Sequence, residues 1–185
     1  AASVERGFQR PDGRELFGNR DGVRNVPWHE RFAAVFVDRG EQADEPDWTE
    51  DGTYLAYLKV RQDFDAWAAL SDAEKEQIIG RRLADGSRLD LPEGTEPHAE
   101  GDFASDQPAL SSHVRKSGPR GGHDDVQIFR RGVPYLALGP DGSAQGGLHF
   151  ASFQATLRQF EVVFGEWIGD PNFPAAGAGV DQLFA

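Results

Sequence analysis

Three short segments carry the side chains best able to do chemistry. The first runs Leu110-Ser111-Ser112-His113-Val114-Arg115-Lys116, with Arg120 close behind. A neutral imidazole is a common ligand for iron, and nearby guanidinium groups suit the carboxylates of an anionic cofactor. The second is Gly18-Asn19-Arg20-Asp21-Gly22, where glycines allow a sharp turn that presents the Asp21 carboxylate. The third is Ile128-Phe129-Arg130-Arg131-Gly132; a guanidinium inside an apolar strand is costly unless it is paired or faces a ligand. Each has a plainer reading, which is favoured when the segments are taken singly. A histidine with basic neighbours is common, Asp-Gly is an ordinary turn, and an edge strand would leave both arginines in water. His29, His98 and His123 fall in loops, and His149 sits in a strand where a core or barrel-wall role is the simpler reading.

Composition narrows the classes. The chain has 185 residues, enough for one domain or one large half-domain, and 38% of them are hydrophobic. No apolar run reaches the roughly 18 residues of a membrane helix. A net charge of −12 argues against nucleic acid as a partner, because phosphate binding needs a basic face. There is no Cys and no Met, which excludes thiolate chemistry and cysteine-held metals. Loss of both easily oxidised sulfur side chains would suit a protein that handles peroxide, although compositional drift explains it equally.

The elements that must position these groups follow from pattern. Residues 1–30 read as extended loop, and 31–37 as a short helix or strand. Alternation over 53–60 predicts a strand. Asp63 caps a helix through Leu70, and Ser71 with Glu74 forms a capping box for a second helix ending at Gly80. Residues 81–120 read as a long polar loop, and 126–130 and 147–153 as strands. Phe153, Leu157, Phe160, Phe164 and Trp167 recur at helical spacing, giving one apolar face that Asp170-Pro171 terminates. This order predicts an α+β sandwich with an antiparallel sheet.

Taken together and in order, these segments resemble the dye-decolorizing peroxidase family of haem b enzymes. Residues 16–25 (LFGNRDGVRN) resemble its Gly-x-x-Asp-Gly motif, and 47–67 and 77–89 resemble its central strand, helix and Ile-Gly-Arg segment. Residues 110–120 (LSSHVRKSGPR) resemble its proximal histidine motif, and 128–135 (IFRRGVPY) its distal arginine strand. Residues 146–161 and 170–184 resemble its last strand, helix and tail. Asn19 departs from the pattern, standing where the family usually carries Phe.

The resemblance implies a ferredoxin-like antiparallel sheet with helices on one face, half of a dimeric α+β barrel-like architecture. Residues 1–30 would form the distal loop segment and 31–185 the haem-binding domain. The family's N-terminal domain would lie outside the chain, so a complementary polypeptide or homo-oligomer is implied. His113 would bind haem iron, and Asp102 or Asp106 would accept its other N–H. Asp21 would move a proton on hydrogen peroxide, and Arg130 would stabilise the negative charge that develops. Arg115 and Arg120 would contact the haem propionates, with Phe150 and Phe153 lining the pocket. Phenolic or dye-like aromatic donors would be oxidised in one-electron steps, through a pool of Trp28, Trp48, Trp67, Trp167, Tyr54, Tyr57 and Tyr135. The alternatives are a haem carrier or iron-releasing protein on the same fold and, further off, a haem-free interaction subunit. The compartment stays open, with an extracytoplasmic one slightly favoured.

Overall fold

The computed structural model describes residues 5–7, 10–20, 22–99, 103, 107–118, 126–139 and 141–184. Among these residues four antiparallel strands form one sheet, in the order β1-β3-β4-β2. They are β1 (Glu5–Gly7), β2 (Tyr54–Arg61), β3 (Phe129–Leu138) and β4 (Ala144–Gln154). The helices are α1 (Arg31–Val35), α2 (Phe64–Ala69), α3 (Asp72–Ile79), α4 (His113–Ser117) and α5 (Leu157–Glu161), the last continuing as a π-helical turn over Val162–Ile168. This is the ferredoxin-like α+β arrangement expected.

Register decides which side chains reach the helices. Ser152 of β4 lies between Arg130 and Ala56, Phe150 between Gly132 and Leu58, and Leu148 between Pro134 and Val60. Because side chains alternate faces, all of these share the face that meets the helices. Phe153 pairs with Phe129 and Leu55 and therefore belongs to the opposite face. Helix and sheet meet where the rings of Phe164 and Phe150 stand edge to face, 5.5 Å apart. Below them Val162, Val163, Trp167 and Ile168 form a buried cluster with Val126, Ile128, Phe164 and Phe173 around it.

Local chemistry explains the boundaries. The Ser71 hydroxyl accepts from the Glu74 N–H and the Glu74 carboxylate from the Ser71 N–H, closing the capping box at α3. Gly80 ends that helix at φ +89°, and a Cβ there would meet Val114 at 2.2 Å. Only glycine satisfies both the left-handed backbone and the close approach of α4.

Three sequence expectations need correction. Residues 1–30 include a strand, β1, paired to β3. The stretch 81–120 contains α4, which carries His113. Phe153 ends in β4 rather than in the helix its spacing suggested, because the strand runs on to Gln154. The periodic pattern spans two elements that share one apolar layer only in part.

Candidate functional site

His113 is the first residue of α4. Its Nδ1 lies 2.7 Å from a carboxylate oxygen of Asp181, which is fully buried. The other Asp181 oxygen accepts from the Leu183 N–H at 2.9 Å, and the Asp181 N–H donates to Ile168 O at 3.1 Å. A carboxylate at that distance suits a proton on Nδ1, the tautomer that leaves the ring's lone pair on Nε2. Ser117 Oγ lies 3.3 Å from Nε2, but that hydroxyl donates to His113 O at 2.7 Å. A single hydroxyl hydrogen cannot serve both, so Nε2 retains a lone pair for an electrophile.

The neighbouring Lys116 fixes the helix. It is fully buried, and its Nζ donates to Asp170 O at 2.6 Å and to Phe173 O. One turn of helix is thereby tied to the loop that leads to Asp181.

His113 lines a cavity of about 500 Å³, within the range of cofactor pockets. Leu148, Phe150, Val163 and Phe164 give it apolar walls. Arg20, Arg24, Arg61, Arg81 and Arg130 also line it. Arg81 is pushed down to about 10, first by burial and then by repulsion from Arg88, Arg24 and Arg130, with Asp90 pulling the other way. Like charges held together in a half-buried cleft favour an anionic ligand. Arg130 itself is held from the loop after Asp21: its Nη2 donates to Arg24 O.

The cavity thus gathers His113, Arg130 and Phe150 of the expected set. Asp21 lies outside the described residues, although Arg20 and Gly22 on either side of it line the cavity. Arg120, Asp102, Asp106 and His123 are likewise outside them. Arg115 does not line the cavity. It is buried, with its guanidinium 4.9 Å from the centre of the Phe103 ring and Nη2 donating to Gln107 O at 3.3 Å. Phe153 is excluded by the pleat. His149 faces away from the cavity too, with Nδ1 2.6 Å from the Tyr57 hydroxyl. Of the aromatic pool, Trp28 and Trp48 are the most exposed and Trp167 is buried.

Two residues escaped the sequence reading. Asp181 stands 2.7 Å from His113 Nδ1; it lies 68 positions away, and its one signal was its place in the family-like tail. Arg81 stood in the Ile-Gly-Arg segment without a role.

An imidazole lining the cavity, apolar walls and several guanidinium groups suit a flat, dianionic, iron-bearing cofactor. Among the described residues no group of three His, Cys, Asp or Glu side chains is placed to hold a metal. Among them, too, no helix is long and apolar enough to cross a membrane.

Fold and cavity together fit the C-terminal part of a peroxidase family. The chain belongs to the family described as Dyp-type peroxidase, C-terminal, which matches residues 12–174. It is 30% identical over 163 residues to the dye-decolorizing peroxidase of Thermobifida fusca, covering 80% of this chain and 38% of that protein. It is 29% identical over 151 residues to the deferrochelatase of Escherichia coli K12, covering 78% and 35%. Ferric DtpA from Streptomyces lividans superposes with a TM-score of 0.70 at 27% identity, over 86% of this chain and 48% of that one. The chain therefore spans between about a third and a half of the relatives it matches.

Proposed function

We propose that this chain is the haem-binding, catalytic part of a peroxidase that reduces hydrogen peroxide and oxidises aromatic donors. The observation that carries this is His113, backed by buried Asp181 and lining the same cavity as Arg130. Haem b, when bound, would supply the redox chemistry.

His113 Nε2 would hold the iron, and Asp181 would make the imidazole more electron-donating through Nδ1–H. Arg81 and Arg24 would receive the propionates, a role that Arg115 cannot fill from its place against Phe103; Arg120 keeps that role as a proposal from sequence position. Leu148, Phe150 and Phe164 would exclude water from the ring. The Asp21 carboxylate would accept a proton from hydrogen peroxide and return it to the departing oxygen. The Arg130 guanidinium would stabilise the negative charge that develops as the O–O bond breaks. Donors too large for the cavity would pass electrons through an exposed aromatic side chain, for which Trp28 and Trp48 have the access.

Likeness to a deferrochelatase gives a second reading, a protein that carries haem or releases its iron with little turnover. Such a role needs no Arg130. Rapid mixing of the haem-loaded protein with hydrogen peroxide separates the readings. Fast reaction that Arg130→Ala abolishes supports the peroxidase, while a slow reaction indifferent to Arg130 supports the carrier.

A partner belongs to the same proposal. Leu55, Tyr57 and Val133 are exposed on the sheet face away from the cavity. An antiparallel sheet can leave one face to water, but large apolar side chains exposed together on that face mark an interaction surface. We assign that face to a second α+β unit, supplied by a complementary polypeptide or a second copy. Native mass spectrometry of the 185-residue chain showing only a stable haem-loaded monomer would contradict this.

A further inference from the structure

Strand β3 is supported on one side by β4 along its whole length, while among the described residues β1 pairs with Tyr135, Leu136 and Ala137 on the other. At Arg130 the backbone still has both hydrogen-bonding groups satisfied on that open side. The Asn25 side chain does it: Nδ2 donates to Arg130 O at 2.8 Å, and Oδ1 accepts from Arg130 N at 3.1 Å. A carboxamide presents C=O and N–H side by side, as a peptide group does, so Asn25 acts as one residue of a missing edge strand. The same Oδ1 accepts from the Val26 N–H at 3.0 Å, which fixes the side-chain rotamer. The preceding residue adds a further bond, since Arg24 O accepts from the Arg130 guanidinium. These bonds join positions 105 residues apart, and both Asn25 and Arg130 line the cavity.

We propose that Asn25 is a positioning residue that sets the reach of Arg130 into the cavity and locks the Asp21 loop to the arginine strand. This rests on the peroxidase reading given above. A backbone held at one point on each of its two polar groups cannot slide along the strand direction. The guanidinium, anchored at the same point, then has its height above the sheet fixed. Asn25 lies four positions after Asp21, so the clamp also tethers the chain that leads back toward that residue. Neither Ala nor Asp reproduces it. Ala lacks both groups, and an ionised Asp keeps the acceptor for Arg130 N–H but sets a charge against Arg130 O.

The test uses the haem-loaded protein with Asn25→Ala and Asn25→Asp. Two quantities are measured beside haem stoichiometry: hydrogen exchange at the Arg130 amide, and the separate rate constants for peroxide reaction and donor oxidation. Asn25→Ala should speed Arg130 exchange roughly tenfold, the factor associated with one net hydrogen bond. It should slow the peroxide step by about ten- to a hundredfold and leave donor oxidation unchanged, as expected for a misplaced catalytic group. Asn25→Asp should fall between Ala and wild type in exchange, because its acceptor remains. Unchanged exchange in Asn25→Ala overturns the clamp. Faster exchange with an unchanged peroxide step overturns its positioning role, as does an equal slowing of both steps. If Asn25→Ala fails to load haem, Asn25→Asp carries the same comparison. If the wild-type protein neither binds haem nor reacts with peroxide, the peroxidase reading fails, while amide exchange still decides the clamp.

Discussion

His113 Nδ1 and a carboxylate oxygen of Asp181 sit 2.7 Å apart, although they lie 68 positions apart in the chain. The carboxylate is fully buried, so its charge acts on the imidazole with little screening from water. Lys116, one helical turn from His113, grips the loop that leads to Asp181 through Asp170 O and Phe173 O. The short helix and the C-terminal tail therefore form a single support for the ring.

Asp181→Asn keeps an acceptor for Nδ1–H but removes the charge. Loss of such a supporting partner commonly costs ten- to a hundredfold in affinity or activity. Haem dissociation and the peroxide rate constant should both worsen within about that range. Values within twofold of wild type would remove Asp181 from the account.

Arg130→Ala should leave haem loading unchanged and slow the peroxide reaction by on the order of a hundredfold, the scale of losing one preorganised charge-stabilising donor. Rapid-mixing absorption measurements read this directly. A variant that reacts as fast as wild type would place the stabilising charge elsewhere.

Arg81 gives a signature in alkali. Its folded value is pushed down to about 10, below the unfolded one, by burial and by the neighbouring arginines. Below about pH 10 both states hold the proton and the folded state bears the full cost. Above it the unfolded chain binds more protons, so stability rises with pH. Compared with Arg81→Gln, the haem-free wild type should gain at most of order 1 kcal/mol between about pH 9 and pH 11, since the group is only partly buried. Urea unfolding at the two pH values measures it, and a relative loss of stability would reverse the assignment.

The chain's net charge of −12 bears on substrate choice. Anionic dyes are repelled while the carboxylates are ionised, so their turnover should climb as pH falls from about 7 to about 4. Steady-state rates across that range test it. A steady rise toward high pH would show that surface charge does not govern dye access.

Much of this was legible in the sequence, for identifiable reasons. The α3 capping box and its Gly80 stop are local rules, and Ser71, Glu74 and Gly80 obey them in the structure. The alternation in β2 is equally local. His113, Arg130 and the Asp21 loop were legible only through the ordered resemblance to a known family, since each segment alone favours a plainer reading. Asp181 was not, because nothing near it in sequence requires a carboxylate; only folding brings it to His113. Phe153 and Arg115 were misplaced for a related reason. Strand register sends Phe153 to the far face of the sheet, and packing on Phe103 turns Arg115 away from the cavity. Neither choice can be read from residue type.

Titration of the haem-free chain with haem, for wild type and His113→Ala, followed by the Soret absorption and its response to hydrogen peroxide, tests the central claim most directly. The account predicts a Soret band of a histidine-ligated haem at one equivalent that peroxide rapidly alters, with both band and response lost in His113→Ala. An identical spectrum and peroxide response in the two proteins would contradict it.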